Sequence, residues 1–170
     1  MKFTLKSLLA GSALVAISFG ATSAQAATNS ASANANATIV SAVTITKNTD
    51  LNFGTAVSGA SAGSVVIAPT AAGTQLCTTV ICTGGGNTSA QFTLAGAATY
   101  TAVMTIPATA TLTSGANTMT ATLSNSLVAN KLVLTGTAAD TFYVGGSLAV
   151  AASQATGSYA GTFTVTVAYQ

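Results

Sequence analysis

The most constraining feature of this sequence is a regular alternation of side chains close to its C-terminal end. Every second residue from 157 to 169 is apolar or glycine, namely Gly157, Tyr159, Gly161, Phe163, Val165, Val167 and Tyr169. The residues between them are small or hydroxylated. A period of two with aromatic and β-branched residues on one side predicts a β-strand with one buried face. Because no strand follows it in the sequence, we expect its second neighbour to come from elsewhere in the chain or from another molecule.

Short runs of β-type residues recur along the rest of the chain, and turn residues separate them. The separators are at 48–50, 59–63, 84–86, 114–115 and 145–146. The predicted strands are 38–46, 51–57, 64–68, 91–95, 100–106, 118–123, 132–135, 141–144, 147–150 and 159–169. No segment shows a helical period, and strands at a spacing of roughly 8 to 12 residues are typical of antiparallel sandwiches. We therefore predict an all-β fold.

The first 26 residues have the features of a secretory signal. Lys2 and Lys6 form a basic leader, an apolar run covers residues 8–19, and the small residues of Ala24-Gln25-Ala26 form a cleavage site. The run is shorter than the roughly 20 residues that a membrane-spanning helix needs. We therefore predict export and cleavage near Ala27, with an uncleaved N-terminal anchor as the alternative. The remaining chain has the length of one domain.

Removal of the signal leaves a chain with very little charge. The four basic residues become two, Lys47 and Lys131, against Asp50 and Asp140. No basic patch remains to bind phosphate groups, so we expect no nucleic-acid partner. The apolar residues after residue 27 are spread by alternation, and we expect no membrane span in the mature chain. A net charge close to zero favours association between copies.

The sequence is poor in the side chains on which catalysis depends. It has no histidine, and its acidic residues are Asp50 and Asp140, which are 90 residues apart in turn-like contexts. With no further acidic ligand, we expect no metal site and no cofactor. A hydroxyl nucleophile would need a base, for which the sequence offers only these carboxylates or a Ser–Lys pair with Lys47 or Lys131. We therefore predict that the protein is not an enzyme.

Cys77 and Cys82 are the two cysteines of the sequence, with four residues between them. In an exported chain we expect them to form a disulfide. A loop this small limits its contribution to roughly 2 kcal/mol, so we predict a local link within a hairpin or loop. A redox-active pair is disfavoured because the spacing is not Cys-x-x-Cys and no cation lies nearby in the sequence.

A second alternating segment lies close to the predicted cleavage site. Its apolar positions are Ala31, Ala33, Ala35, Ala37 and Ile39, and its other positions are serine, asparagine or threonine. We interpret residues 27–39 as an extension that can form a strand with a narrow apolar face. A flexible linker is the alternative, since alanine and asparagine are poor strand formers.

The two ends of the chain together resemble those of chaperone–usher pilus subunits. The resemblance lies in a glycine at the fourteenth position from the end, Gly157, a penultimate tyrosine, Tyr169, and the alternation between them. The body, with Val43-Thr44-Ile45-Thr46-Lys47 and Leu51-Asn52-Phe53-Gly54, also resembles an uncharacterised family of Ala/Thr-rich secreted bacterial proteins. That family is similar to archaic pilins and spore-coat-U-like subunits.

The resemblance implies a fold, a function and partners. Residues 40–170 would form an immunoglobulin-like antiparallel β-sandwich that lacks its last strand, and residues 27–39 would be a donor strand. The protein would be a structural subunit of a bacterial surface fibre, exported to the periplasm of a Gram-negative bacterium. A periplasmic chaperone would first cover the strand at 157–169. The donor strand of an identical subunit would then replace the chaperone at the outer-membrane usher.

One feature departs from the better-known pilins, whose donor strands carry large apolar residues. At about 0.8 kcal/mol per buried CH₂, the alanines of this arm contribute little, so Ile39, Val43, Ile45 or main-chain bonds would have to contribute more. Two alternatives therefore stay open. The first is a self-contained secreted sandwich that acts as an adhesin and binds carbohydrate or another surface; few aromatic residues argue against a sugar site, for which Tyr100 or Tyr143 would serve. The second is a coat or matrix protein that associates laterally.

Overall fold

Antiparallel strands make up almost all of the regular structure of this protein. The computed structural model describes residues 28–137 and 139–170. No α-helix occurs among them, and a short 3₁₀ turn spans Val128–Asn130. The predicted signal peptide, residues 1–26, lies outside the described residues. The prediction of an all-β antiparallel fold is confirmed.

The strands follow one another closely from residue 44 onward. In chain order they are β1 Thr44–Thr49, β2 Thr55–Val57, β3 Gly63–Ile67, β4 Gln75–Thr78, β5 Ile81–Gly84, β6 Ala90–Ala95, β7 Thr101–Thr105, β8 Thr109–Ser114, β9 Asn117–Asn125, β10 Lys131–Val133, β11 Thr141–Val150 and β12 Thr166–Tyr169. Every strand pair is antiparallel.

Three sheets build a sandwich-like arrangement. The largest has the order β1-β6-β11-β3-β4, and β9 joins it by pairing with β11 while β8 pairs with β9. The second sheet has the order β10-β7-β12, and β2 and β5 form a separate two-stranded ribbon. Since β7 lies in the second sheet and β8 in the first, the chain passes from one sheet to the other at Pro107. Proline suits this passage because it has no N–H to donate to a ladder.

The long strand β11 corrects one prediction. We expected a turn at Gly145-Gly146, but the pair lies inside β11 and makes ladder contacts on both of its edges. A Cβ at Gly145 would overlap the carbonyl oxygen of Ile67, and one at Gly146 would approach the carbonyl oxygen of Thr122. The glycines are therefore needed for close approach of neighbouring backbones, not for a turn.

Two groups of buried side chains form the core. One group surrounds Val65, Ile67 and Leu148, and the other surrounds Leu94 and Phe142. In the second group Phe92 stacks on Phe142 with ring centroids 5.2 Å apart. Burial alternates along β6, as expected for a strand with one face on the core.

The two predicted terminal strands are shorter in the structure than in the sequence prediction. Residues 28–43 contain no strand, and β1 begins at Thr44. At the other end, the predicted strand 159–169 consists of an isolated bridge between Ala160 and Thr113, followed by β12. The ladder is interrupted because the two facing stretches of chain differ in length. Residues 106–112 lie opposite the shorter stretch 161–165. The surplus residues and Pro107 prevent a continuous ladder.

Candidate functional site

An open groove runs beside the C-terminal segment and reaches the core. One wall is formed by residues 51–58, the other by residues 154–159, and the groove volume is about 660 Å³. The floor is apolar and consists of Leu112, Met119, Leu148 and Val150. A smaller cavity of about 40 Å³ continues from it past Gly161 and Phe163 and shares Leu51, Phe53 and Leu112 with it. We refer to the two cavities together as the groove, with a wide end at 154–159 and a narrow end at 161–163.

Hydrogen bonds join the two walls at the ends of this opening. At the wide end the Ser58 hydroxyl donates to the Gln154 carbonyl at 3.1 Å, and the Ser153 N–H donates to the Gly59 carbonyl at 2.8 Å. At the far end the Tyr169 hydroxyl donates to the Ser41 carbonyl at 3.0 Å. Between these points, within the described residues, no hydrogen bond connects 42–57 with 155–168. The groove is therefore a slot between two neighbouring segments that no hydrogen bond joins.

The backbone at 161–165, beside the narrow end of the groove, is unpaired within the described residues. In the described part of the chain these five residues form neither a ladder nor any other backbone hydrogen bond. Their side chains nevertheless keep the predicted alternation, since Phe163 and Val165 are half-buried against the core while Thr162 and Thr164 are exposed. Open N–H and C=O groups beside a buried face are the features that allow an added strand to bind.

The predicted alternating residues of the C-terminal segment occupy different surroundings. Tyr159 packs against the first core group, and Phe163, Val165, Val167 and Tyr169 pack against the second. Gly157 and Gly161 are exposed, and Gly161 lies so close to β8 that a Cβ would overlap the Thr111 carbonyl oxygen. The strand-like pattern therefore places the large side chains on the core and the glycines against β8.

The disulfide between Cys77 and Cys82 supports the wall at 51–58. Its Cα atoms are 6.1 Å apart, and it links β4 to β5. We expected a link within a hairpin or loop, and the two strands are indeed consecutive, but they belong to different sheets. Since β5 pairs with β2, which lies in the wall, the disulfide fastens the β2–β5 ribbon to the main sheet.

The residues of the predicted arm, 31–39, are exposed. Every residue from 28 to 37 is exposed, and none of them belongs to a helix or strand. Ile39 is 95% exposed. In contrast, Val43 and Ile45 pack against the second core group of the same chain. They belong to β1 or its start, so their side chains are not free to act in a donor strand.

The two aspartates have different surroundings in the structure. Asp50 is exposed and forms an ion pair with Lys47, while the buried Asp140 accepts hydrogen bonds from the Thr135 N–H, the Thr135 hydroxyl and the Gly136 N–H. Asp140 thus caps a loop, as its sequence context indicates. The described residues contain no group of three or more potential metal ligands.

The two tyrosines considered for sugar binding have other roles in the fold. Tyr100 packs against Tyr169 with ring centroids 5.5 Å apart, and the Tyr143 hydroxyl accepts a hydrogen bond from Gln91. Neither residue lines the groove.

Sequence reasoning missed some of the residues that shape the groove. Gln154 was not singled out, yet its side chain donates to the Tyr159 hydroxyl at 2.8 Å, and that hydroxyl donates to the Ala155 carbonyl at the same distance. These bonds hold the wall at the wide end. The segment 151–158 has no alternation of large apolar residues, so no local sequence signal distinguishes this wall from an ordinary loop.

The lining of the groove limits what it can bind. It contains no charged side chain, its floor is apolar, and its polar groups are hydroxyls, amides and the backbone. Such a slot suits an extended, uncharged peptide segment that adds main-chain hydrogen bonds and places small apolar side chains on the core. In the described residues no helix is long and apolar enough to cross a membrane.

Fold and groove define the protein as an antiparallel β-sandwich with an open slot between two edge segments. The chain belongs to the family described as Domain of unknown function (DUF4402), whose profile matches residues 43–169. The matched region includes all twelve strands and begins after the exposed arm. Comparison with curated proteins and with solved structures gave no match.

Proposed function

We propose that this protein is a structural subunit of a bacterial surface fibre and assembles by donor-strand complementation. The arm at 31–39 of one copy inserts as an additional strand into the groove of the next copy. The fold is then an incomplete immunoglobulin-like sandwich, which a strand from a neighbour completes. A periplasmic chaperone covers the groove before assembly, and an outer-membrane usher is the place of exchange.

The observation that carries this proposal is the slot between 42–57 and 155–168. Burying its apolar floor is favourable, and the unpaired backbone at 161–165 gains hydrogen bonds when a strand is added. A strand of nine residues such as 31–39 extends over roughly 30 Å. The arm and the groove lining are both uncharged, so no charge is desolvated by their contact.

The arm can act as a donor only upstream of Val43. Val43 and Ile45 are already packed in their own core, which leaves Ile39 as the large apolar residue available together with the alanines. Side-chain burial by the alanines gives only a few kcal/mol at about 0.8 kcal/mol per CH₂, so main-chain hydrogen bonds must contribute much of the affinity.

The first test compares the mature chain from Ala27 with a variant that lacks residues 27–39. We expect the mature chain to polymerise, and we expect the shortened variant to be unstable and to be rescued by a peptide of residues 31–41. Analytical ultracentrifugation and thermal unfolding measure both effects. A peptide in which Ala33 and Ala35 are replaced by aspartate is the control. A stable monomer in every case would instead support the self-contained secreted sandwich.

One observation favours lateral association as a second candidate. Val57 and Ile81 face each other across the β2–β5 ribbon and are 50% and 67% exposed, and Leu76 on the neighbouring β4 is 65% exposed. Exposed apolar side chains on a nearly uncharged surface promote contact between copies. A coat or matrix protein of this kind would still assemble after removal of the arm, and Ile81→Asp would prevent it.

A further inference from the structure

We propose that the disulfide between Cys77 and Cys82 is a redox switch for the groove. In the oxidised chain it keeps the β2–β5 ribbon in place, and this ribbon supplies the wall at 51–58. Reduction releases the ribbon and opens the wide end of the groove, while the two larger sheets stay folded. The switch rests on the proposed function in what enters the groove, and it adds a means of regulation to that function.

The connection between β4 and β5 is unusual for two consecutive strands. Only Thr79 and Val80 separate them, yet β4 pairs with β3 and β5 pairs with β2. Within the described residues no hydrogen bond joins β4 to β5, although strands linked by two residues commonly form a hairpin ladder. The disulfide takes the place of that ladder, because Cys77 lies in β4 and Cys82 lies in β5.

The ribbon buries very little of its own surface. Its strands contain three and four residues, and a two-stranded hairpin is marginally stable by itself. None of the residues in either strand is buried, and Val57 and Ile81 are 50% and 67% exposed. A segment with so few buried apolar contacts opens locally at a low cost in free energy. The ribbon therefore depends on its attachments to the rest of the fold.

Those attachments are stronger at the ends of the ribbon than in its middle. Phe53 and Val80 are buried in the first core group, and Asn52 exchanges two backbone hydrogen bonds with Thr88. Past the end of β2, two hydrogen bonds join 58–59 to the opposite wall of the groove. Loss of the disulfide therefore frees the middle of the ribbon between fixed ends, which is a local opening and not an unfolding of the domain.

The disulfide is accessible to a reductant, because both cysteines are half-buried. The reductant is a dithiol. Its thiolate attacks one Sγ atom, the bond between Cys77 and Cys82 breaks, and the second thiol of the reductant resolves the mixed disulfide. Two electrons and two protons pass to the cysteines, which become thiols, and the dithiol becomes a disulfide. Since the closed loop is small, the bond constrains the unfolded chain only weakly, and its main effect is on the wall.

Two methionines report where the fold opens. Met119 lines the wide end of the groove and is 8% exposed. Met104 is 2% exposed in the second core group and does not line the groove. Hydrogen peroxide converts methionine to its sulfoxide when it reaches the sulfur. The oxidation rate of each methionine, measured by peptide mass spectrometry, therefore distinguishes release of the wall from unfolding of the domain.

The first experiment compares the full mature chain with the double variant Cys77→Ser/Cys82→Ser, at a dilution at which ultracentrifugation shows monomers. We expect Met119 to be oxidised roughly tenfold faster or more in the variant, with the rate at Met104 unchanged. Equal rates at Met119 in the two proteins overturn the switch. A faster rate at Met104 as well overturns a local release, because the second core group has then opened too.

Reduction of the unmodified mature chain tests reversibility. Dithiothreitol should speed the hydrogen exchange of the amides in β2 and β5, leave β6 and β11 protected, and lose its effect after re-oxidation. Thr78→Ser/Thr83→Ser is the matched control, since it changes the exposed neighbours of both cysteines and retains the disulfide. It should behave as the unmodified chain does. Exchange in β2 and β5 that does not respond to dithiothreitol overturns the switch.

Association between copies is measured separately, so that failure of the switch and failure of the proposed function are distinguishable. The disulfide-free variant should associate roughly tenfold more weakly or worse, because one wall of the groove is lost. Fast oxidation of Met119 in this variant, with no assembly of any of the proteins, supports the switch and overturns the proposed function. Fast oxidation with undiminished assembly overturns the link between the wall and assembly.

Discussion

The hydroxyl of Tyr169 accepts a hydrogen bond from the backbone N–H of Ala97 at 2.7 Å. The same hydroxyl donates to the Ser41 carbonyl, so the penultimate residue links the end of β12 to the loop after β6 and to the start of the domain. A Cβ at Gly96 would overlap this hydroxyl, and Gly96 therefore leaves the space in which the tyrosine lies. One side chain thus fixes the far end of the groove.

Tyr169→Phe should lower the free energy of unfolding by about 1–2 kcal/mol. The variant keeps the aromatic ring and its contact with Tyr100, but it leaves the half-buried Ala97 N–H without its partner. Urea denaturation of the two proteins measures the difference. Tyr100→Phe is the control, because the Tyr100 hydroxyl makes no hydrogen bond within the described residues. Equal losses for the two variants would contradict the role assigned to the Tyr169 hydroxyl.

Gly161→Ala should displace the C-terminal segment from β8. The added Cβ would overlap the Thr111 carbonyl oxygen, and overpacking of this kind costs about 1–3 kcal/mol. Hydrogen exchange should show faster exchange of the Ala160 and Thr113 N–H groups, which bond to each other's carbonyls. Gly59→Ala is the matched control, since nothing lies within 4 Å of a Cβ at that position. Unchanged protection at Ala160 would refute the close approach.

Phe163→Asp should prevent stable folding of the domain. Phe163 packs edge-on against Phe92 with ring centroids 6.4 Å apart, and an aspartate there would place a charge on the core. We expect a loss of about 2–4 kcal/mol. Val165→Asp should act in the same way, and both variants should fail to be captured or assembled after export.

Thr164→Asp provides the control for these substitutions. Its side chain is exposed on the opposite side of the segment, so the change should stay within about 0.5 kcal/mol. Thermal unfolding and the amount of exported, assembled protein compare the three variants. Normal folding and assembly of the Phe163 and Val165 variants would argue against a buried face at 157–169.

Asp140→Ala should be far more destabilising than Asp50→Ala. Asp140 is only 3% exposed and accepts hydrogen bonds from two backbone N–H groups and one hydroxyl, which lose their partner in the variant. We expect a loss of about 2–4 kcal/mol. The carboxylate of Asp50 pairs with Lys47 at the surface, where such pairs contribute about 0–1 kcal/mol. Chemical denaturation of both variants tests the ranking, and a similar loss for both would contradict it.

Local sequence patterns predicted several elements well. The turn at Ser114-Gly115 closes the hairpin of β8 and β9, with Gly115 at a φ of 59°. The alternation around Phe163 and Val165 correctly placed the large side chains on the core. These features depend on residues that are near one another in the chain, so a single sequence contains the information.

Other elements were missed or misread because their causes lie far away in the sequence. The glycine pair in β11 is required by the backbones of β3 and β9, which no local pattern reveals. β4, β5 and β8 were not among the predicted strands, since their short runs of threonine, cysteine and alanine carry a weak apolar signal. The interruption at 161–165 results from the length of the opposing stretch 106–112.

The sequence by itself determined that this protein is built from strands, that its cysteines are close enough to pair, and that its C-terminal segment has one apolar face. Period, spacing and composition are local properties, and they suffice for these conclusions. Only the tertiary structure decided that the apolar face borders an open, tapered groove, and that Val43 and Ile45 belong to their own core. A groove forms where two edges of the fold are not joined to each other, and this depends on the position of every other strand.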